Sequence, residues 1–328
     1  GTGHFLPPQI RTNADLEKLV ETSDSWIRER TGIRERRVAP DGSGGAPETR
    51  MVTSDMAAEA AKNALAAAGL TAKDIDMIIV GTVTPDMPMP ATAAFVQQKI
   101  GAGNIPAFDL SAACAGFIYG LSIADQFIRT GQLKHVLVIG VELLSRVVDW
   151  TDRTTCVLFG DGAGAMVLGP PDGSNRGILG TQIFTDGSLA RSLMIPAGGS
   201  ETPVSHAVLE ARENKVKMKG QDIFKAAVRN LYSASQGVVD QVGMTNDQVD
   251  WVCPHQANLR IIDQVVQRAN YHRDRVLSNI ELVGNTSSAS IPILIDENVK
   301  NGKIKPGHVV LMCALGAGVS WGSALVRM

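Results

Sequence analysis

The chain has 328 residues, 44% of them hydrophobic and 20% charged, with 33 glycines and a formal net charge of -2. That suits a compact α/β protein of one large or two medium domains, and the charge gives no reason to expect a nucleic-acid partner. No apolar run approaches the roughly 18–20 residues of a membrane span, and four scattered cysteines supply neither metal-ligand spacing nor the disulfide framework of a small secreted domain.

A cytoplasmic location is the simplest expectation for such cysteines (Cys114, Cys156, Cys253, Cys313). The N-terminus lacks the charged-then-apolar pattern of a signal peptide. Its abrupt opening at Gly1-Thr2-Gly3 leads us to expect a preceding strand outside this sequence. Asp41 to Arg50 reads as a Gly/Pro/Ser-rich surface loop. An Ala-rich helix then runs from Met56 to Ala68 and stops at Gly69, a C-cap residue. A turn with Asp leads into a buried strand, Ile75 to Val80. A further short apolar run ends at Phe108-Asp109-Leu110, where Ser111-Ala112-Ala113-Cys114-Ala115-Gly116 opens a long helical pattern. Cys114 therefore falls at a helix N-terminus among tiny residues. Unpaired N–H groups and the helix dipole favour a thiolate there, and a substrate carbonyl has room to approach. A small buried structural cysteine is the alternative reading of the same segment.

Gly160-Asp161-Gly162-Ala163-Gly164-Ala165 has neither the order nor the following Lys-Ser/Thr of a phosphate loop, so close strand packing is expected. Pro170-Pro171-Asp172-Gly173 is the expected boundary between halves 1–170 and 171–328. Gly198 to Lys219 carries mixed charge without a clear period and reads as a surface excursion able to cover a cleft. A helix from Asp222 to Val242 precedes a second buried strand, Val249 to Pro254. His255 sits at that strand's end, before a helix from Leu259 to Ala269; ligands bind at such ends of parallel sheets. Asn285 lies in Gly284-Asn285-Thr286-Ser287-Ser288-Ala289-Ser290-Ile291-Pro292, where it either caps a helix or takes part in chemistry. The strand Val309 to Met312 runs on to Gly316-Ala317-Gly318, whose backbone N–H groups suit an oxyanion hole.

Two internal matches mark a duplication. Ala68-Gly69-Leu70-Thr71 and its strand have a counterpart at Val242-Gly243-Met244-Thr245, 174 residues on. Gly131-Gln132-Leu133-Lys134 matches Gly302-Lys303-Ile304-Lys305, 171 residues on. Each of these glycines follows a candidate residue by 17, Cys114 in one half and Asn285 in the other, which sets Asn285 on the pseudo-symmetric position of Cys114. The alternation of buried strands and helices implies mostly parallel sheets covered by helices. Basic residues gather at Arg28, Arg30, Arg34, Arg36 and Arg37 near Trp26, and at Lys215, Lys217, Lys219 and Lys225. They read either as ordinary solvated surface or as a docking patch for an acidic or phosphate-bearing partner.

Cys114, His255 and Asn285 in these contexts resemble the β-ketoacyl-[acyl-carrier-protein] synthase III family. So do Thr12-Asn13-Ala14-Asp15-Leu16-Glu17, Arg30-Thr31-Gly32-Ile33-Arg34-Glu35-Arg36, His255-Gln256-Ala257-Asn258-Leu259-Arg260 and Trp321-Gly322-Ser323-Ala324-Leu325. The resemblance spans nearly the whole chain. It implies an α/β fold of thiolase-like type, a five-layer α-β-α-β-α duplication, usually as a homodimer. It implies an acyl-CoA starter that acylates Cys114, then malonyl-acyl carrier protein, decarboxylated against His255 and Asn285, with no metal or separate redox cofactor. Backbone N–H groups of Cys114 and of Ala317 or Gly318 would form the oxyanion hole. Trp26 and Arg153 would sandwich the CoA adenine, and Arg30 would meet phosphate. Gly220, Phe224, Ala257 and Asn258 would line the pantetheine tunnel, and Lys225 and Arg260 would dock the carrier protein. Met87, Met89 and Phe159 would border the acyl pocket, the methionines as flexible fillers able to admit longer or branched chains.

This chain departs from the family pattern at Ala317, where a third glycine is common, and at Leu315, where an aromatic residue is frequent. A degradative thiolase would need a second active cysteine, but Cys313 is one residue out of register and reads as core. Other readings of the same residues are a relative that transfers acyl groups to oxygen or nitrogen, or a starter enzyme of a polyketide pathway. A non-catalytic partner subunit would tend to lack Cys114.

Overall fold

The computed structural model of the chain describes residues 1–42, 49–171 and 173–328. Most of the expected Gly/Pro/Ser-rich loop and Asp172 of the boundary turn lie outside them. In chain order the strands are β1 (Thr2–Phe5), β2 (Gln9–Thr12), β3 (Glu35–Val38), β4 (Met77–Gly81), β5 (Ala107–Leu110), β6 (Val136–Glu142), β7 (Gly162–Leu168), β8 (Gly177–Thr185), β9 (Leu193–Met194), β10 (Lys217–Met218), β11 (Trp251–Pro254), β12 (Val309–Gly316) and β13 (Ser320–Arg327). The helices are α1 (Asn13–Glu17), α2 (Asp24–Thr31), α3 (Thr53–Ala68), α4 (Thr92–Ile100), α5 (Gly116–Arg129), α6 (His206–Glu210), α7 (Gly220–Gln241), α8 (Leu259–Arg268), α9 (Ile280–Val283) and α10 (Ser290–Lys300).

Two large sheets form, ordered β1-β7-β6-β4-β5 and β11-β12-β13-β8. Strand alternation then builds layers, because successive side chains point to opposite faces. Ile78 and Val80 of β4 pack with Ala57, Ala60 and Ala64 of α3, whereas Met77 and Ile79 pack with Phe117 and Leu121 of α5. On β12, Val310 and Met312 join that inner cluster with Ile291, Leu294 and Ile295 of α10, while Leu311 faces Val238 of α7 and Ile262 of α8. The result is five layers, α-β-α-β-α, with α5 and α10 buried between the sheets. Small residues permit the close contacts. A Cβ on Gly164 would lie 2.6 Å from the Ile293 nitrogen, so the glycine-rich run is strand packing and not a phosphate loop.

Three expectations need correction. The sheets are mixed: β4 pairs parallel with β5 and β6, and β11 with β12, but β7, β13 and β8 run antiparallel. The physical reason is that β12 returns to β13 through only Ala317–Val319, too short for a crossover helix. Gly198 to Lys219 is partly ordered into α6 and into β10, which pairs with β9.

The third correction concerns the repeat register. Gly69 and Gly243 both turn left-handed, at φ +66° and +68°. Ala113 and Ser287 do so too, at φ +46° and +51°, and α5 and α10 begin at Gly116 and Ser290. All three pairs are 174 residues apart. The 171-residue spacing of Gly131 and Gly302 arises because α5 has 14 residues and α10 has 11. The structural counterpart of Cys114 is therefore Ser288, and Asn285 corresponds to Ser111.

Candidate active site

Cys114 occupies a single 3-10 turn, Ala113–Ala115, between β5 and α5. The turn is cramped. Gly316 passes so close that a Cβ there would lie 2.8 Å from Ala113 Cβ and nearer still to the Cys114 nitrogen. Cys114 is 7% exposed. Burial pushes its thiol up to about 12, the nearby Glu142 carboxylate adds to the rise, and Ser287 and its own N–H oppose it. That reverses the sign expected from a helix N-terminus alone: in the ligand-free site, desolvation outweighs the helix field.

The pseudo-symmetric turn, Ser287–Ala289, supplies the other side of the site. The Ser287 side chain reaches the Cys114 thiol. Asn285 Oδ1 accepts the Ser287 N–H at 2.8 Å, which fixes the carboxamide and leaves its NH2 group as donor. The Asn285 backbone is held by Leu158 and Gly160, whose carbonyl and N–H bracket it at 2.9 Å each, and Phe159 forms a bridge with it. His255 lies just past β11, its N–H donating to the Cys313 carbonyl at 2.8 Å. Its Nδ1 is 2.7 Å from Ser290 Oγ, and that oxygen also receives the Gln256 N–H at 3.5 Å. The Ser290 proton therefore goes to Nδ1, which assigns the imidazole hydrogen to Nε2. Burial drops His255 to about 3, so the ring is neutral at physiological pH. Segment 285–290 thus ties the three candidates together: it carries Asn285, touches Cys114 through Ser287 and holds His255 through Ser290.

The return between β12 and β13 explains the departure at Ala317. The conformation only glycine adopts readily is at Gly318 (φ +132°), and the close approach is at Gly316; Ala317 sits in a 3-10 turn and needs neither. Leu315 is buried with Val319 and Cys313 in a cluster that Phe224 and Ala257 flank. Gly220 is exposed at the start of α7, and Lys225 and Arg260 are exposed. Asn258 caps α8 with its Oδ1 on the Arg260 N–H and donates from Nδ2 to the Arg30 carbonyl at 3.0 Å.

At the rim, the Arg30 and Arg153 guanidinium carbons lie 4.5 and 5.0 Å from the Trp26 ring centroid. No planar base fits between Trp26 and Arg153 at that spacing. A sandwich requires Arg153 to swing out, giving up its bond to the Glu21 carbonyl at 2.9 Å. Met87 and Met89 are 43% and 84% exposed, and in a single copy they enclose no space around the sulfur. Phe159 is buried.

The basic cluster divides. Arg36 is fully buried, donating to the Arg11 and Val157 carbonyls and Asn13 Oδ1. It is therefore structural and neither solvated nor a docking residue; Lys215 is likewise partly committed, to the Arg146 carbonyl. Cys313 is fully buried in β12.

Sequence reading passed over three residues: Glu142, Ser287 and Ser290. Glu142 ends β6 fully buried, and a lone acid in the run Val138-Ile139-Gly140-Val141-Glu142-Leu143 was a signal available without the structure.

The family described as 3-oxoacyl-[acyl-carrier-protein] synthase III matches residues 108–187, and its C-terminal part matches residues 239–328. A β-ketoacyl-[acyl-carrier-protein] synthase III from Caldanaerobacter subterraneus subsp. tengcongensis is 49% identical over 327 residues, covering 100% of this chain and 96% of that protein. One from Thiobacillus denitrificans is 48% identical over 331 residues, covering 100% and 98%. The crystal structure of 3-oxoacyl-[acyl-carrier-protein] synthase III from Aquifex aeolicus VF5 superposes with a TM-score of 0.90 at 44% identity, covering 100% of this chain and 98% of that one. The chain belongs to the β-ketoacyl-[acyl-carrier-protein] synthase III family of acyltransferase-type condensing enzymes.

Proposed function

We propose that this chain starts fatty-acid synthesis by a two-stage reaction in which Cys114 carries the acyl group and His255 and Asn285 manage the decarboxylation. The observation that carries this reading is the single segment 285–290 linking all three side chains. In the first stage the Cys114 thiolate attacks the carbonyl of an acyl-CoA. The tetrahedral oxyanion is held by the Cys114 N–H and by Ala317 or Gly318, and CoA leaves. In the second stage malonyl-acyl carrier protein enters. The neutral His255 donates from Nε2 and Asn285 from Nδ2 to the thioester oxygen. Charge builds there as CO2 departs, so both bonds strengthen toward the transition state. The carbanion attacks the acyl-cysteine and expels the Cys114 thiolate, giving the β-ketoacyl-carrier product. The residues alone suffice for this chemistry; no metal or cofactor is assigned a step.

Trp26, Arg30 and a displaced Arg153 are read as holding the nucleotide end of CoA. Gly220, Phe224, Ala257 and Asn258 would line the path to Cys114, and Lys225 and Arg260 would meet the acidic carrier. Exposed Met87 and Met89 support a homodimer, in which a second copy would cover them and close the acyl pocket with Phe159. A cytoplasmic location fits four free thiols, and among the described residues no helix is long and apolar enough to cross a membrane. Separating the stages tests the roles. Asn285→Ala is expected to form acyl-enzyme at close to the wild-type rate but to release CO2 from malonyl-carrier about 10²–10³-fold more slowly, the usual cost of one oxyanion donor. Equal loss in both stages would overturn the division of labour.

A further inference from the structure

Glu142 is the one buried acid beside Cys114, and the reaction as described gives it no work. It is fully buried at the end of β6, where both halves of the molecule feed hydrogen bonds to it. From the first half come Thr84 Oγ1 at 2.7 Å, Thr82 Oγ1 at 3.3 Å and the Val83 N–H at 3.1 Å. From the second half come Ser287 Oγ and Ser288 Oγ, each 3.2 Å from Oε1. Among the described residues no lysine or arginine is hydrogen-bonded to it, and Cys114 is the titratable neighbour it faces.

Ser287 has one hydroxyl proton and two neighbours that want it. Its oxygen donates to Glu142, so toward the Cys114 thiol it is an acceptor. The order is therefore S–H, then Oγ–H, then carboxylate, all in a buried space. Thr286 in the same turn carries no such bond to the acid, and Ser288 touches Glu142 but bonds the Gly81 carbonyl at 2.7 Å.

We propose that Ser287 and Glu142 are a proton relay that generates the Cys114 thiolate. The Cys114 S–H bond breaks and its proton forms a new bond to Ser287 Oγ. The original Ser287 proton passes to Glu142 Oε1, leaving a neutral carboxylic acid and a thiolate. The site holds one negative charge before and after, so no net charge is created in a buried space. When the thioester is cleaved, the proton returns through Ser287 to the departing CoA thiolate and Glu142 is again ionised. Burial raises Glu142 to about 7, which makes it a better proton acceptor than an ordinary carboxylate. Glu142 and Ser287 are on this account positioning and proton-handling residues that act on the sulfur, and His255 is left free for the second stage. The inference rests on Cys114 being the nucleophile.

Alkylation of Cys114 by iodoacetamide tests it without any acyl or carrier substrate. Glu142→Gln, Ser287→Ala and Ser288→Ala are compared with wild type from pH 7 to 9.5, with folding checked by thermal melts. The relay predicts that Glu142→Gln and Ser287→Ala react about tenfold or more slowly at pH 7.5, that the gap closes toward pH 9.5 as hydroxide takes the proton, and that Ser288→Ala stays within about threefold of wild type. A carboxylate that merely repels the thiolate predicts the opposite sign, faster alkylation in Glu142→Gln. Faster or unchanged alkylation in that variant, or equal slowing by Ser287→Ala and Ser288→Ala, overturns the relay. Should Glu142→Gln fail to fold, the two serine variants carry the comparison. A normal relay signature in a protein that no acyl-CoA acylates would instead refute the proposed function.

Discussion

Gly316→Ala is the sharpest test of how the nucleophile is placed. The added Cβ would sit 2.8 Å from Ala113 Cβ, 3.1 Å from the Ala112 carbonyl oxygen and closer still to the Cys114 nitrogen, where ordinary contact begins at 3.4 Å. The neighbours at Cys114 are backbone, which cannot rotate away as a side-chain tip would. The turn must therefore move by roughly 1 Å, and a displacement of that size at a reacting atom costs about 10²-fold. Overpacking of this kind also costs about 1–3 kcal/mol of stability. Gly103→Ala, with nothing within 4 Å of the new Cβ, is the control for the substitution itself. The assay is single-turnover acylation of Cys114 followed by intact mass, alongside thermal melts. Acylation within about threefold of wild type in a folded Gly316→Ala protein would refute the claim that this glycine sets the position of the sulfur.

Charge reversal at the rim, Lys225→Glu with Arg260→Glu, is expected to raise KM for malonyl-carrier protein about tenfold at low salt and to leave turnover of malonyl-CoA nearly unchanged. The difference should shrink as ionic strength rises; equal effects on both substrates would remove these residues from carrier docking. His255 gives a stability prediction with a definite sign. Its folded value of about 3 lies below the ordinary 6.5, so its contribution is full above pH 6.5 and is lost as pH falls below it, because the unfolded imidazole gains a proton first. Between pH 7 and 5 wild type should lose stability more steeply than His255→Gln, by at most about 1.4 kcal/mol per pH unit. Parallel slopes would contradict a buried neutral ring.

Much of the architecture was legible because local rules wrote it. Gly69 and Gly243 are left-handed helix ends, and the Cys114 segment does turn from a strand into a helix. The repeat was visible too, but its register was not: matching glycines beyond the helices concealed that α10 is three residues shorter than α5. Helix length is set by packing between two sheets, which no local pattern records. Electrostatics fared similarly. A helix N-terminus says thiolate, whereas enclosure by Gly316, Ser287 and Glu142 raises the thiol, and these neighbours come from 28 to 202 residues away. Arg36 was unreadable for the same reason. Its carbonyl partner Val157 is 121 residues distant, so a buried structural arginine looked like one more surface charge.

The central claim is that Cys114 carries the acyl group between two half-reactions. Its most direct test is intact-mass spectrometry of the protein after brief exposure to acyl-CoAs of increasing chain length, with peptide mapping of the adduct. The account predicts one acyl group per chain, located on Cys114, absent in Cys114→Ser and discharged when malonyl-carrier protein is added. No adduct with any chain length, or an adduct on Cys156, Cys253 or Cys313, would contradict it.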